Sequence, residues 1–236
     1  MEKEGTPKDM FLNVPKHNFI IGPTDTDSIS FCRKDMNEFS KGEITSLIQE
    51  LNKLSPEFML WEDDGYFPNV LVLKAKNYAL WDGKKLKIKG SALRDTKREK
   101  ALREFISEII DSLLFDKKNL QEIYIKYIKE ANNIQDINRW AFKKTITASV
   151  LNPERANEQK VLDALKDSEY SEGDKRWFFF MPDESLSLVE RFNGEYNKNR
   201  LLEKVYKTLL IFSSVIDLSQ FTKYHLIKNQ KLLETL

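Results

Sequence analysis

The sequence predicts an α+β protein, with an antiparallel β-rich first part over residues 1–93 and a mostly helical second part over 94–236. Three observations predict it. Two apolar runs, one containing Phe19-Ile20-Ile21 and the other Ile29-Ser30-Phe31-Cys32, flank the polar stretch Pro23-Thr24-Asp25-Thr26-Asp27-Ser28, the pattern of a hairpin. Val70 to Trp81 then reads as one run rich in β-formers, closed by the hairpin turn signal Trp81-Asp82-Gly83-Lys84. From Thr96 onward the apolar period changes to a helical one.

Taken in order, residues 1–16 carry Gly5, Pro7 and Pro15 with little periodicity and read as a loose lead-in. Asn18 to Cys32 is the hairpin. Ile44, Leu47, Ile48 and Leu51 recur at helical spacing, so an amphipathic helix runs from Ser40 to about Leu54 and stops at Ser55-Pro56. Phe58 to Phe67 is expected as a strand region turning at Glu62-Asp63-Asp64-Gly65, and Leu86-Lys87-Ile88-Lys89 as a returning strand. Thr96 followed by Glu99 matches a capping box, with a stripe of Leu102, Phe105, Ile106, Ile109 and Leu113 behind it. Further helices are expected from Leu120 to Asn133, from Glu154 to Leu165, through Leu201–Phe212, and from Leu218 to Leu236. Trp140 to Ser149 is basic, hydroxyl-rich and β-capable, and Gly173 to Met181 reads as a turn into a buried strand.

Composition narrows the function. The 236 residues are 41% hydrophobic and 32% charged, which fits a globular protein with a real core. No apolar run approaches the ~20 residues of a membrane span, and the polar start is no secretory signal, so the cytoplasm is the expected compartment. A single cysteine, Cys32, excludes an internal disulfide framework and is expected as a small buried hydrophobe. Two distant histidines, His17 and His225, leave little material for a histidine metal site or triad. Net charge is only +1, yet between Lys84 and Arg103 nine basic residues face two acids, a local +7. That patch seeks phosphate, or is a solvated face balanced elsewhere. In the first turns of the expected helix, Lys97, Arg98 and Lys100 would oppose its dipole, which calls for another reason to be there.

Asp25 and Asp27 lie two apart, so on an extended backbone their carboxylates share a face. Close carboxylates repel unless a cation lies between them, and a hard ion, Mg²⁺ or Mn²⁺, takes oxygen ligands while leaving positions for water and phosphate. Alone, Asp-x-Asp is more often an Asp/Ser-rich turn between strands than a metal site.

The surroundings of the pair resemble motif C of the family B (polymerase alpha-like) DNA polymerases. Its core is Asp-Thr-Asp-Ser between two strands, here Asp25-Thr26-Asp27-Ser28, with Pro23-Thr24 where the family usually has Tyr-Gly. Further landmarks follow in the family's order: Glu62, then Lys76-Asn77-Tyr78-Ala79-Leu80, a turn at Trp81-Asp82-Gly83, and Lys87-Ile88-Lys89-Gly90. Lys76 and Tyr78, two apart on one strand, would share a face suited to phosphate oxygens or groove edges. The resemblance is firm from about Phe19 to Asp95 and weaker through the stretch that would be a thumb, where Lys143 and Lys144 stand beside hydroxyls and Gly173-Asp174-Lys175 is similar to a late thumb element.

The resemblance implies a C-terminal half of a palm over 1–93 and a thumb over 94–236. It implies that Asp27 and Asp25 are catalytic metal ligands for Mg²⁺, with Mn²⁺ as a substitute. It implies that Lys76 and Tyr78 hold primer–template DNA, with Lys87, Lys89, Arg94, Arg98, Lys143 and Lys144 on the backbone. Glu62 takes the place of an acid near the metal site, or is a turn residue beside Asp63 and Asp64. Nothing matches the family's exonuclease motifs, its other metal-binding aspartate element or its nucleotide-binding fingers helix. One hairpin alone cannot hold two ions at ~4 Å and position a dNTP for in-line attack. The chain alone is therefore expected to be inactive, and the favoured expectation is one subunit of a split, phage-type DNA polymerase whose second polypeptide carries exonuclease, motif A and fingers; a truncated or decayed polymerase would have the same sequence features. A sliding clamp is a further partner the resemblance admits, and a phage origin would place the protein in the host cytoplasm. Two other classes stay open: a non-catalytic DNA-binding or accessory protein derived from a polymerase, and a metal-dependent nuclease with Asp35 as the nearest extra acid.

Overall fold

A computed structural model describes residues 19–24 and 27–222. It is a mixed α+β structure with antiparallel sheets and, among the described residues, eight α-helices. The chain divides into two compact units, residues 1–87 and 88–236.

The first unit opens with β1 (Phe19–Thr24) and β2 (Ile29–Arg33), an antiparallel pair in the register Ile20↔Cys32, Ile21↔Phe31 and Thr24↔Ile29. The ladder is irregular between Ile21 and Thr24. Pro23 lies in that interval and has no N–H to donate. Cys32 is exposed, not buried as expected, because the two-stranded ribbon leaves that position of β2 uncovered. Helix α1 (Lys41–Leu54) begins as the sequence predicts. The Ser40 side chain accepts from the Glu43 amide, and Glu43 Oε2 reaches back to the Ser40 amide at 2.8 Å, a complete capping box.

Residues 58–67 are not the strand region expected. The segment has no ladder partner and runs irregularly to β3 (Asn69–Lys74), since its apolar residues are consecutive rather than alternating. Nor is Val70–Trp81 one strand. Ala75 and Lys76 make a hairpin turn, with Lys76 at φ +61°, into β4 (Asn77–Trp81). Val72 pairs with Tyr78 and Leu71 with Ala79. Asp82-Gly83 then turns the chain as expected. Asp82 Oδ1 accepts from the Lys84 and Lys85 amides at 2.8 and 2.7 Å, which holds its carboxyl below the usual range, and Gly83 takes φ +91°. The returning strand β5 (Leu86–Lys89) completes a sheet of order β3-β4-β5, and the first unit ends within it.

The second unit has two cores. One is helical. It joins α3 (Lys100–Phe115), α4 (Leu120–Asn132) and α8 (Lys198–Leu209). Phe105, Ile109 and Ile110 of α3 are fully buried, as are Tyr127 and Ile128 of α4 and Leu202 and Val205 of α8. The other core lies under the sheet β6 (Phe142–Thr145), β7 (Lys175–Phe180) and β8 (Leu186–Leu188), with α6 (Ala148–Leu151) and α7 (Ala156–Ala164) supplying Val150, Val161 and Ala164 against Phe178. The single-turn helix α5 (Ile137–Trp140) links these parts, and another, α2 (Ser91–Arg94), precedes α3. Arg139 of α5 fastens α3 to α4 through Glu104 at 2.6 Å and Glu130 at 2.9 Å.

Helix α3 does not start at the expected capping box. Glu99, not Thr96, is its N-cap residue, and Asp95 engages the preceding turn through the Lys97 amide at 2.9 Å. Lys97 and Arg98 therefore precede the helix and do not oppose its dipole from within. The expected last helix appears as a 3-10 turn at Leu218–Gln220, and its continuation lies outside the described residues. Among the described residues no helix is long and apolar enough to cross a membrane.

Candidate functional site

In sequence, Asp25-Thr26-Asp27-Ser28 falls between β1 and β2. Asp27 follows the first strand and is exposed; Asp25 lies outside the described residues. The strand geometry around it is fixed at its base. Phe31 packs edge-on to Phe39 at 5.6 Å between ring centroids. Arg33, at the end of β2, forks onto Asp35 and also reaches Glu43 at 2.9 Å, tying β2 to the start of α1. The Arg33 guanidinium and the Asn37 amide hold the Asp35 carboxyl down to about 2. Asp35 is thus committed to an ion pair.

Asp27 offers the hard oxygen a small divalent ion prefers. Among the described residues no three His, Cys, Asp or Glu side chains converge to hold an ion. Glu62 is exposed in the irregular segment before β3.

The other predicted residues separate by environment. Lys76 and Tyr78 do not share a strand face: Lys76 occupies the left-handed position of the hairpin turn, and Tyr78 is buried in β4 at 7% exposure. The periodicity argument assumed one continuous strand, and the turn at Ala75-Lys76 breaks it. Lys87 lies 4.8 Å from the centre of the Phe67 ring, a cation–π contact that holds its chain against the sheet. In the second unit Lys89 and Arg94 are exposed, while Arg98 is half-buried and donates to the Ala92 carbonyl at 3.0 Å.

Lys143 and Lys144 fall on β6 opposite Trp177 and Arg176 of β7. The Lys143 ammonium sits 5.6 Å from the Trp177 ring. Lys144 and Arg176 face each other directly across the ladder, and Lys175 adjoins them opposite Thr145. Like charges in register are destabilising unless an anion relieves them. Arg176 is partly relieved by the Glu169 carbonyl at 2.6 Å and by Asp174 at 3.8 Å.

A feature the sequence did not disclose is an open cleft of about 460 Å³ in the second unit. Its floor is Leu102, Phe142 and Ile211, and Lys97, Arg98, Lys204 and Lys207 stand around it against Asp95 and Glu99. Lys204 is its organising group. Its ammonium pairs with Glu99, itself 4% exposed, and lies 5.2 and 5.3 Å from the Phe142 and Phe180 rings. Arg200, one turn earlier, covers Phe180 at 3.6 Å and pairs with Glu184 at 2.5 Å. Nothing local in the sequence links Lys204 to residues 97–99; only the packing of α8 on α3 brings them together.

No protein-family model matches the sequence, and no curated protein matches it. The fold does match a solved structure, the family B DNA polymerase from the hyperthermophilic archaeon Pyrobaculum calidifontis, with a TM-score of 0.63 at 15% identity. The match covers 89% of this chain and 28% of the polymerase, so the chain spans little more than a quarter of that protein's length. At that identity the likeness is one of fold: this chain resembles part of a family B DNA polymerase.

Proposed function

We propose that this chain is the C-terminal palm and thumb of a DNA-templated DNA polymerase. In this reading it works with a second polypeptide that supplies exonuclease, the other metal-binding aspartate and the fingers. The observation that carries the reading is the coincidence of two independent facts. The fold matches part of a family B polymerase over 89% of the chain, and an Asp-Thr-Asp-Ser sequence spans the connection of its first hairpin.

Asp27 and Asp25 would hold Mg²⁺, which when bound neutralises triphosphate charge and acidifies the primer 3′-hydroxyl. Asp27 is exposed at the end of the hairpin, open to ligands from another chain. The cations serve binding. Lys89, Arg94, Lys143 and Lys144 lie on the surface or half-buried, where phosphate contacts fix register without reading sequence. The Lys204 cleft, with its apolar floor and cationic rim, suits a sugar–phosphate segment. Lys76 at a turn tip can reach a backbone, whereas Tyr78 acts by holding the sheet that carries the turn.

The test is primer extension with purified chain and partner. Asp27→Ala should abolish nucleotide incorporation and leave primer–template binding intact; unchanged incorporation would end the catalytic reading. The second reading is a non-catalytic DNA-binding protein, which would use the exposed cations Lys89 and Arg94 without the carboxylates. It predicts duplex binding indifferent to both Asp27→Ala and Mg²⁺.

A further inference from the structure

The first unit is short of a covering layer. Of the large apolar side chains exposed among the described residues, all but Leu210 and Val215 belong to it. The densest group is Phe58-Met59-Leu60, exposed by 94%, 57% and 83% in three consecutive positions. Such a run in solvent is ordinarily a loop that could fold back and hide itself.

This one is held out. Asn52, on α1, grips Trp61 at both backbone atoms: its Oδ1 accepts from the Trp61 amide at 2.6 Å and its Nδ2 donates to the Trp61 carbonyl at 3.1 Å. The Trp61 indole N–H donates to Ser55 Oγ at 2.7 Å, and the Met59 amide donates to the Pro56 carbonyl at 2.9 Å. Four hydrogen bonds thus fix the ends of a three-residue apolar projection. Preorganised Phe, Met and Leu side chains are anchor residues seeking a pocket, because little ordering cost remains to be met on binding.

The charge around the projection says what the pocket must be. Glu57 precedes it, and Glu62, Asp63 and Asp64 follow, all exposed. Nucleic acid and anionic membrane are repelled by such a rim. A second copy of the chain meeting it face to face would set the same carboxylates against each other. What fits is a polypeptide with an apolar pocket rimmed by Lys or Arg.

We infer that Phe58-Met59-Leu60 is the docking anchor for the second polypeptide. The inference rests on the polymerase reading above, in which that polypeptide corresponds to the length of the matched enzyme this chain does not span. One partner then covers the first unit's apolar surface and completes the ligand set at the hairpin.

The experiment uses the full chain and, as probe, the polypeptide from the same genome that carries exonuclease, the other metal-binding aspartate and fingers. Affinity is measured by titration calorimetry. Phe58→Ser/Leu60→Ser should weaken binding about 30-fold or more, with circular dichroism and melting unchanged because both side chains are already in solvent. Phe58→Leu/Leu60→Met should restore most of the affinity. Asp63→Asn/Asp64→Asn should slow association at low salt. Unchanged affinity in the serine variant overturns the anchor while leaving the polymerase reading intact. No binding by the unaltered chain overturns both. A dimer of the chain alone that the serine variant abolishes assigns the surface to self-association and overturns the partner.

Discussion

Lys204→Met removes the ammonium from the second unit's cleft while keeping most of the stem's apolar volume. Its consequence can be worked from the surroundings. Glu99 is 4% exposed and pairs with Lys204, whose own side chain is 27% exposed. Leaving a buried carboxylate unpaired costs about 3–5 kcal/mol when no water reaches it. Access along the Lys204 side chain lowers that to about 2–3 kcal/mol. The cation–π contacts with Phe142 and Phe180 add roughly 0.5 kcal/mol each at a partly wet site. Urea unfolding followed by circular dichroism should therefore show a loss of about 3 kcal/mol for Lys204→Met. Glu99→Gln/Lys204→Met should recover part of it, with a coupling of about 1–2 kcal/mol in the double-mutant cycle. A single-variant loss under about 0.5 kcal/mol with no coupling would refute the claim that this pair organises the cleft.

Three further outcomes follow from particular contacts. Asn52→Ala breaks both hydrogen bonds to the Trp61 backbone and should destabilise the first unit by about 1–2 kcal/mol, read as a lower urea midpoint by tryptophan fluorescence. The Asp35 carboxyl should titrate at about 2 by NMR and return toward the ordinary aspartate value in Arg33→Ala. Because its folded value is depressed, whatever stability it contributes is present above the unfolded value near ~3.9 and is lost as pH falls toward 2. Lys89→Ala/Arg94→Ala should weaken duplex binding evenly across sequences and lower the salt-dependence slope by about 2, measured by fluorescence anisotropy.

The parts of the fold legible in the sequence were those with a local cause. The capping box at Ser40 and Glu43, the Asp82-Gly83 turn and the stripe from Leu102 to Ile109 each announce themselves within a few residues. Misreadings arose where a local pattern had two solutions. Thr96 and Glu99 have capping-box spacing, yet the Glu99 side chain is spent on Lys204, more than one hundred residues away. Val70 to Trp81 reads as one β run because neither Ala75 nor Lys76 is a turn residue by type; the left-handed Lys76 is imposed by pairing β3 with β4. Cys32 was expected inside as a small hydrophobe, but the half-buried positions of β2 are those of Ile29, Ser30, Phe31 and Arg33, and Cys32 is left exposed between Phe31 and Arg33. The β1–β2 pairing was legible from the two apolar runs around Asp25-Thr26-Asp27-Ser28 because that pattern is local. The Lys204 cleft was not, because no spacing connects α8 with residues 97–99.

The central claim is that this chain completes a polymerase active site supplied in part by another polypeptide. Primer extension in Mg²⁺ tests it most directly, run with the chain alone, with the partner alone, with the pair, and with the pair carrying Asp27→Ala. The account predicts templated extension by the pair only and its loss in the variant. Extension by the partner alone at the rate of the pair, or full activity with Asp27→Ala, would contradict it.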